Sequence, residues 1–142
     1  MLKIKKILFL LIIFLNTTSF VQADISIDKF VYDKHLTGYK YFSKVQKYKF
    51  ISQGISLEMA YMHLPSKKKK KGTITLLHGK NFTSAYWKDI ALELNSLGYE
   101  VLIPDQVGFG KSSKPLNYQY TFESLALNTK KLLASLNIES TQ

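Results

Sequence analysis

A chain of 142 residues is long enough for one modest domain with a real core. Its 46% hydrophobic and 13% aromatic content excludes a disordered polymer. The formal charge is +10, but every basic residue is lysine, so a DNA- or phosphate-reading surface built on guanidinium forks is disfavoured and no nucleic-acid partner is expected.

The chain opens with a targeting pattern. Lys3, Lys5 and Lys6 precede the apolar run Ile7 to Leu15, and Val21-Gln22-Ala23 ends on a small residue. This predicts a signal peptide over residues 1–23, cleaved after Ala23, and a secreted or periplasmic bacterial product. The apolar run is too short to cross about 30 Å of hydrocarbon, so no stable membrane span is expected. With no cysteine, disulfides and a cysteine-linked lipid anchor are excluded. Residues 24–142 then form one domain, with no interior linker and no repeat.

Asp24 to Val45 reads as an aromatic, extended lead-in that packs on the body. Lys47 to Ser52 and Ile55 to Leu64 are strand candidates joined by the turn Gln53-Gly54. Ile55, Leu57, Met59, Tyr61 and His63 alternate onto one face. His63 has no second histidine or acid at metal-ligand spacing, so a packing role is expected and no metal site. The run Lys67 to Lys71, between Pro65-Ser66 and Gly72, reads as a solvated loop. Thr73 to Leu77 suits a strand buried on both faces. Tyr86 to Leu97 reads as a helix with Ile90, Leu92, Leu94 and Leu97 near helical spacing, Ser84 as N-cap and Gly98 at the C-cap. Val101 to Pro104 is a second buried strand. Thr121 to Leu136 is the strongest helix, with Thr121 capping it and Phe122, Leu125, Ala126, Thr129, Leu132, Leu133 and Leu136 as its inner stripe. Hairpin, strand, helix, strand, helix predicts an α/β architecture in which an antiparallel hairpin leads into parallel strands with crossover helices.

Two loops carry the chemistry. Gly110-Lys111-Ser112 looks like the end of a phosphate-binding loop, but Asp105 stands where that motif needs a glycine. Gly108 and Gly110 instead let the chain turn sharply after a buried strand, at the end where open α/β sheets bind ligands. Asp105 braces that loop by accepting backbone N–H bonds. Ser112 lacks the strand-turn-helix setting of a nucleophile and belongs to the same brace. His78-Gly79-Lys80-Asn81 follows the other buried strand, where Gly79 lets the backbone approach a ligand and the next N–H groups are free to hold an oxyanion. His78 reads as a loop brace.

Together these segments resemble the α/β-hydrolase superfamily. The resemblance rests on Leu76 to Phe82, Tyr86-Trp87, Gly98-Tyr99, Asp105 to Pro115 and Leu125 to Thr129, with Gln53-Gly54 and Met59 to Met62 upstream. It implies the N-terminal part of that fold. It also implies that the Lys80 N–H is an oxyanion-hole donor and that Asn81 lies at the mouth of the site. The dehalogenases of the superfamily place asparagine directly after His-Gly; here Lys80 takes that place, which argues against a halide site. The family's later strand, Gly-x-Ser-x-Gly elbow, acid and histidine are not found in these residues.

The expectation is a truncated domain. Its full-length parent would cleave a small ester-like substrate by a Ser-His-acid mechanism without a cofactor. The chain alone would be inactive, and its C-terminal half could come as a separate chain. The alternative is a non-catalytic secreted basic module, or a decayed gene product, that binds anionic surfaces through Lys67 to Lys71.

Overall fold

The computed structural model describes residues 32–142, so the predicted signal peptide lies outside the described residues. The predicted hairpin is present as β1 (Val45–Ser52) and β2 (Ile55–Leu64), in antiparallel register from Ser52 opposite Ile55 to Val45 opposite Met62. Gln53 and Gly54 both take positive φ, 50° and 73°, the geometry whose twist matches a two-residue hairpin.

Beyond the hairpin come β3 (Thr73–Thr75), a 3-10 turn (Ser84–Trp87), α1 (Lys88–Ser96), β4 (Glu100–Pro104) and α2 (Phe122–Ser135). The strand order is β1-β2-β4-β3, with β2 antiparallel and β3 parallel to β4. β4 is the centre: Val101, Leu102 and Ile103 are all fully buried. On one face Leu102 packs with Phe50, Leu57, Met59, Tyr61 and Leu132 of α2. On the other, Val101 and Ile103 pack with Met62 and Ala91 of α1. The alternation read along β2 therefore holds at its start, but near β4 the strand is covered on both sides. Residues 24–31 of the predicted lead-in lie outside the described residues; of its aromatics, Tyr41 and Phe42 pack against the α1 face, while Tyr32 and Tyr39 are exposed.

Four expectations need correcting. Thr73 to Leu77 is not buried on both faces: Ile74 to Leu76 are half-buried and Leu77 is 48% exposed. Among the described residues, the far edge of β3 meets Thr141 and Gln142, through Thr75 N–H to Gln142 O at 2.9 Å, Gln142 N–H to Thr73 O at 3.0 Å and Thr141 Oγ1–H to Thr73 O at 3.2 Å. In α1, Ile90, Leu92 and Leu97 are exposed. The inward face runs through Trp87, Ala91 and Leu94, because helical winding starts a turn earlier at Ser84. Ser84 is not a side-chain cap; it sits inside the turn, with Thr83 before it. In α2, Phe122 is 91% exposed and Ala126 is also exposed, while Asn128 is fully buried.

The predicted start of α2 and end of α1 behave as expected. Thr121 Oγ1 accepts from the Ser124 N–H at 3.1 Å. Gly98 (φ 100°) follows α1, and Gly98 N–H to Asn95 O with Tyr99 N–H to Leu94 O completes a Schellman cap.

The lysine loop folds onto that same helix end. Lys68 Nζ donates to Ser96 O at 2.6 Å, where the helix carbonyls favour a cation, and Lys71 N–H donates to Gly98 O at 3.1 Å. Lys70 pairs with Glu100 at 2.5 Å. Glu100 also accepts from Thr73 Oγ1 (2.7 Å) and His63 Nε2 (2.9 Å). Burial alone would raise the Glu100 carboxyl; the bonds from Lys70, Thr73 and His63 outweigh it and hold it at about 2, against 4.5 ordinarily. A depressed carboxyl stabilises the fold fully above its unfolded value and loses that contribution as pH falls from 4.5 towards 2. Because Lys70 is half exposed, screening leaves about 1 kcal/mol. Urea midpoints of wild type and Glu100→Gln are expected to differ at pH 6 and converge towards pH 2.5. A gap that does not change with pH would show that the cluster contributes nothing to pH-dependent stability.

Candidate functional site

β3 and β4 run parallel, so the loops that leave their carboxyl ends emerge side by side. This adjacency brings His78-Gly79-Lys80 against the loop from Asp105 to Ser112.

Asp105 is fully buried and ties three parts of the chain together. Its Oδ1 accepts from Ser84 N–H at 2.7 Å. Its Oδ2 accepts from Lys111 N–H and from the Tyr41 hydroxyl, both at 2.7 Å. The first bond holds the segment after β3, the second closes the glycine loop, and the third anchors the lead-in. Burial and the hydrogen bond to Asp105 push the Tyr41 phenol up. The Lys111 ammonium lies over the Tyr41 ring at 5.2 Å.

Gly110 (φ 53°) packs directly on that carboxylate: a Cβ there would lie 2.1 Å from Asp105 Cγ. Gly108 (φ 97°) faces Tyr120, whose ring edge would be 2.6 Å from an added Cβ. Ser112 is 1% exposed and works as a splice between strands. Its Oγ donates to Asp105 O at 2.6 Å and accepts from Ala60 N–H at 2.8 Å. Ser113 repeats the device one pleat along, accepting from Glu58 N–H at 2.8 Å.

His78 links the two loops. Gln106 N–H donates to its Nε2 at 2.9 Å, so that nitrogen carries no proton, and Nδ1–H donates to Gly79 O at 2.8 Å. Phe109 meets the imidazole edge-on at 5.6 Å. With Nε2 already occupied by a backbone donor, the imidazole is held as a brace.

Gly79 to Phe82 is a turn closed by Phe82 N–H to Gly79 O at 3.2 Å, with Asn81 at φ 69°. Among the described residues the Lys80 N–H has no acceptor. Asn81 is exposed at the tip of the turn.

These loops and the start of α2 border an open pocket of about 610 Å³ lined by His78, Gly79, Lys80, Gln106, Gly108, Phe109, Tyr120, Phe122 and Leu125. Its walls are largely apolar, its polar groups few, and its place at the strand ends is the usual one for a small-molecule site. Of the residues singled out from sequence, His78, Gly79, Lys80 and Gly108 line it; Asp105, Gly110 and Ser112 stand behind it as supports. Tyr41, Gln106, Ser113 and Tyr120 were not foreseen. Tyr41 lies 64 residues from Asp105, and no local pattern marks it. Gln106 had a signal, a polar residue directly after a buried strand.

Comparison with known proteins agrees with this geometry. Residues 72–141 match the family model described as alpha/beta hydrolase fold. A solved structure of a probable hydrolytic enzyme from Pseudomonas aeruginosa PAO1 superposes with a TM-score of 0.76 at 45% identity, over 79% of this chain and 36% of that one. An uncharacterized hydrolase of Saccharomyces cerevisiae is 36% identical over 67 residues, 47% of this chain and 23% of the yeast protein. Lipase 1 of Psychrobacter immobilis is 34% identical over 67 residues, 47% of this chain and 20% of the lipase. The chain thus spans well under half the length of these relatives.

Proposed function

Residues 72–141 belong to the alpha/beta hydrolase fold family, and on that premise we propose that this chain forms the oxyanion-binding part of a hydrolase acting on small ester-like molecules. The observation that carries the proposal is the apolar cavity at the ends of β3 and β4, with an uncommitted Lys80 N–H on its wall. An N–H fixed by a short turn costs no reorganisation when charge develops on a substrate oxygen, which is what oxyanion stabilisation requires. The nucleophile, acid and general-base histidine would come from the additional length that the relatives possess. Lys80, where the dehalogenases of the superfamily have asparagine, favours acyl chemistry over a halide site.

The turn supplies a clean test. Lys80 is its second residue and Asn81, at positive φ, its third, which is the type II layout in which proline suits the second position. Lys80→Pro therefore deletes the N–H while keeping the turn. Joined at Gln142 to the remaining C-terminal part of the Pseudomonas aeruginosa hydrolytic enzyme, this chain is expected to cleave p-nitrophenyl butyrate, and Lys80→Pro is expected to lower kcat by about 10²–10³. A folded chimera without turnover would refute the proposal. So would a Lys80→Pro chimera that keeps its kcat, because the donor would then have no part in the reaction.

A further inference from the structure

Lys80 is the one charged residue among those that line the pocket. It is exposed, on the turn closed by Phe82 N–H to Gly79 O. Among the described residues its ammonium has no hydrogen bond and no ion pair. Two carboxylates adjoin lining residues in the chain, and both are engaged elsewhere. Asp105 is fully buried behind the pocket, on Ser84, Lys111 and Tyr41. The Lys114 ammonium, on Ser112 O at 3.2 Å, answers its charge. Glu123 follows Phe122, but its carboxylate turns back on the first turn of α2, where its own N–H and Thr121 hold it below the usual carboxylate range. The pocket is thus bordered by one uncompensated positive charge and walls that are largely apolar. Low-dielectric walls focus the field of such a charge into the opening. The field reaches about 8 Å at physiological salt, so the ammonium biases what binds without a fixed contact.

We propose that Lys80 is a specificity-determining residue whose ammonium selects ligands bearing a carboxylate. The substrate class narrows from small esters to monoesters of small dicarboxylic acids. Phe109, Tyr120 and Leu125 offer surface to the apolar part, and the free carboxylate lies towards Lys80. One ammonium balances one negative charge. A carboxylate is therefore matched, whereas a phosphate monoester, nearer two charges at neutral pH, is left in excess. A point charge on a flexible four-carbon stem reads charge and not geometry, which suits a preference of moderate size.

The inference rests on reading this pocket as a substrate pocket, but its test needs no turnover. If the chimera fails to cleave esters while the preference below is observed, only the hydrolytic reading falls. If the chimera is active and the preference is absent, only the role of the ammonium falls. The probes are monobenzyl succinate and benzyl methyl succinate, which differ by one carboxylate, titrated into the 142-residue chain. Wild type is expected to bind the monoester about 3- to 10-fold more tightly, between an exposed ion pair and a charge-assisted hydrogen bond. Lys80→Met keeps the backbone N–H and removes the ammonium, and is expected to bring the two probes level. Lys67→Met removes one charge from the loop before β3, at the opposite end of that strand from the pocket, and is expected to keep the preference. A wild-type measurement covers a variant that does not fold. The preference should shrink as the screening length falls from about 30 Å at 0.01 M salt to about 3 Å at 1 M. The monoester, and not the diester, should shift the Lys80 Cε methylene NMR signal. Equal affinity for the two probes, binding of neither, a preference that survives Lys80→Met or high salt, its loss in Lys67→Met, or a Lys80 signal blind to the carboxylate would each overturn the proposal.

Discussion

Asp105→Ala is expected to destabilise the fold by about 3–5 kcal/mol, against a total of about 5–15 for a domain of this kind. The carboxylate accepts from Ser84 N–H, Lys111 N–H and Tyr41 Oη–H, all at 2.7 Å, in a fully buried position. Alanine leaves the donors without partners and opens a void beside Gly110. Two further variants separate the contributions. Tyr41→Phe removes one neutral donor and leaves the other two bonds intact, so about 1 kcal/mol is expected. Asp105→Asn keeps the shape but brings an NH₂ group. Placed on the Oδ1 side it faces the Ser84 N–H; placed on the Oδ2 side it faces the Lys111 N–H. Either orientation opposes two donors, so asparagine should fall near alanine and far from Tyr41→Phe. Thermal melts resolve this, since about 1 kcal/mol moves the midpoint of a domain this size by about 4–8 °C. An Asp105→Asn midpoint within a degree or two of wild type would remove Asp105 from its role as the brace between the loops.

The sequence expresses this brace only in part. Asp105 and its glycines are legible because a polar residue and two glycines directly after an apolar strand have few other uses. Thr121 and the stripe Leu125, Thr129, Leu132 and Leu136 mark α2 because cap and periodicity agree. The hairpin is legible for the same reason: Gln53-Gly54 and the alternation fix one register. Where two readings satisfy one pattern, the sequence does not choose. In α1, Ile90, Leu94 and Leu97 form one helical face and Trp87, Ala91 and Leu94 another. The second is the buried one, because the preceding turn sets the phase. Exposure of β3 is likewise settled by its place at the sheet edge, which its own residues do not encode. The site divides along the same line. His78-Gly79-Lys80 and the loop from Asp105 are each local signals, and the parallel pairing of β3 with β4 joins them. Tyr41 and the orientation of the Gln106 carboxamide depend on contacts across 64 and 23 residues. No window of the sequence holds both partners.

The two loop glycines should differ sharply in what a methyl group does to them. Both have positive φ, 97° at Gly108 and 53° at Gly110, so alanine at either carries a backbone cost of about 1–2 kcal/mol. The surroundings decide the rest. At Gly108 the nearest atom is the Tyr120 ring edge at 2.6 Å, but Tyr120 is 45% exposed, and its ring can swing towards solvent at the cost of its hydroxyl bond to Pro115 O (2.9 Å) and its edge contact with Tyr118. At Gly110 the methyl would lie 2.1 Å from Asp105 Cγ and 2.2 Å from Oδ2. That carboxylate cannot retreat without releasing Ser84, Lys111 or Tyr41. The alternative is for the loop to move, which breaks the Lys111 bond to Asp105 and the Ser112 splice to Ala60. Gly110→Ala is therefore expected to cost about 4–6 kcal/mol, the strained backbone plus most of the Asp105 contribution, and Gly108→Ala about 2–3, the strained backbone plus one exposed hydrogen bond. Double substitution of Gly110→Ala with Asp105→Ala removes the clash along with the bonds. It should be worse than Asp105→Ala alone only by the backbone cost of about 1–2 kcal/mol, since the rest of the two changes acts on the same contacts. Urea midpoints of the four variants and wild type test the whole scheme. If Gly110→Ala and Asp105→Ala add in full, the steric account is wrong and glycine is needed at position 110 for its φ alone.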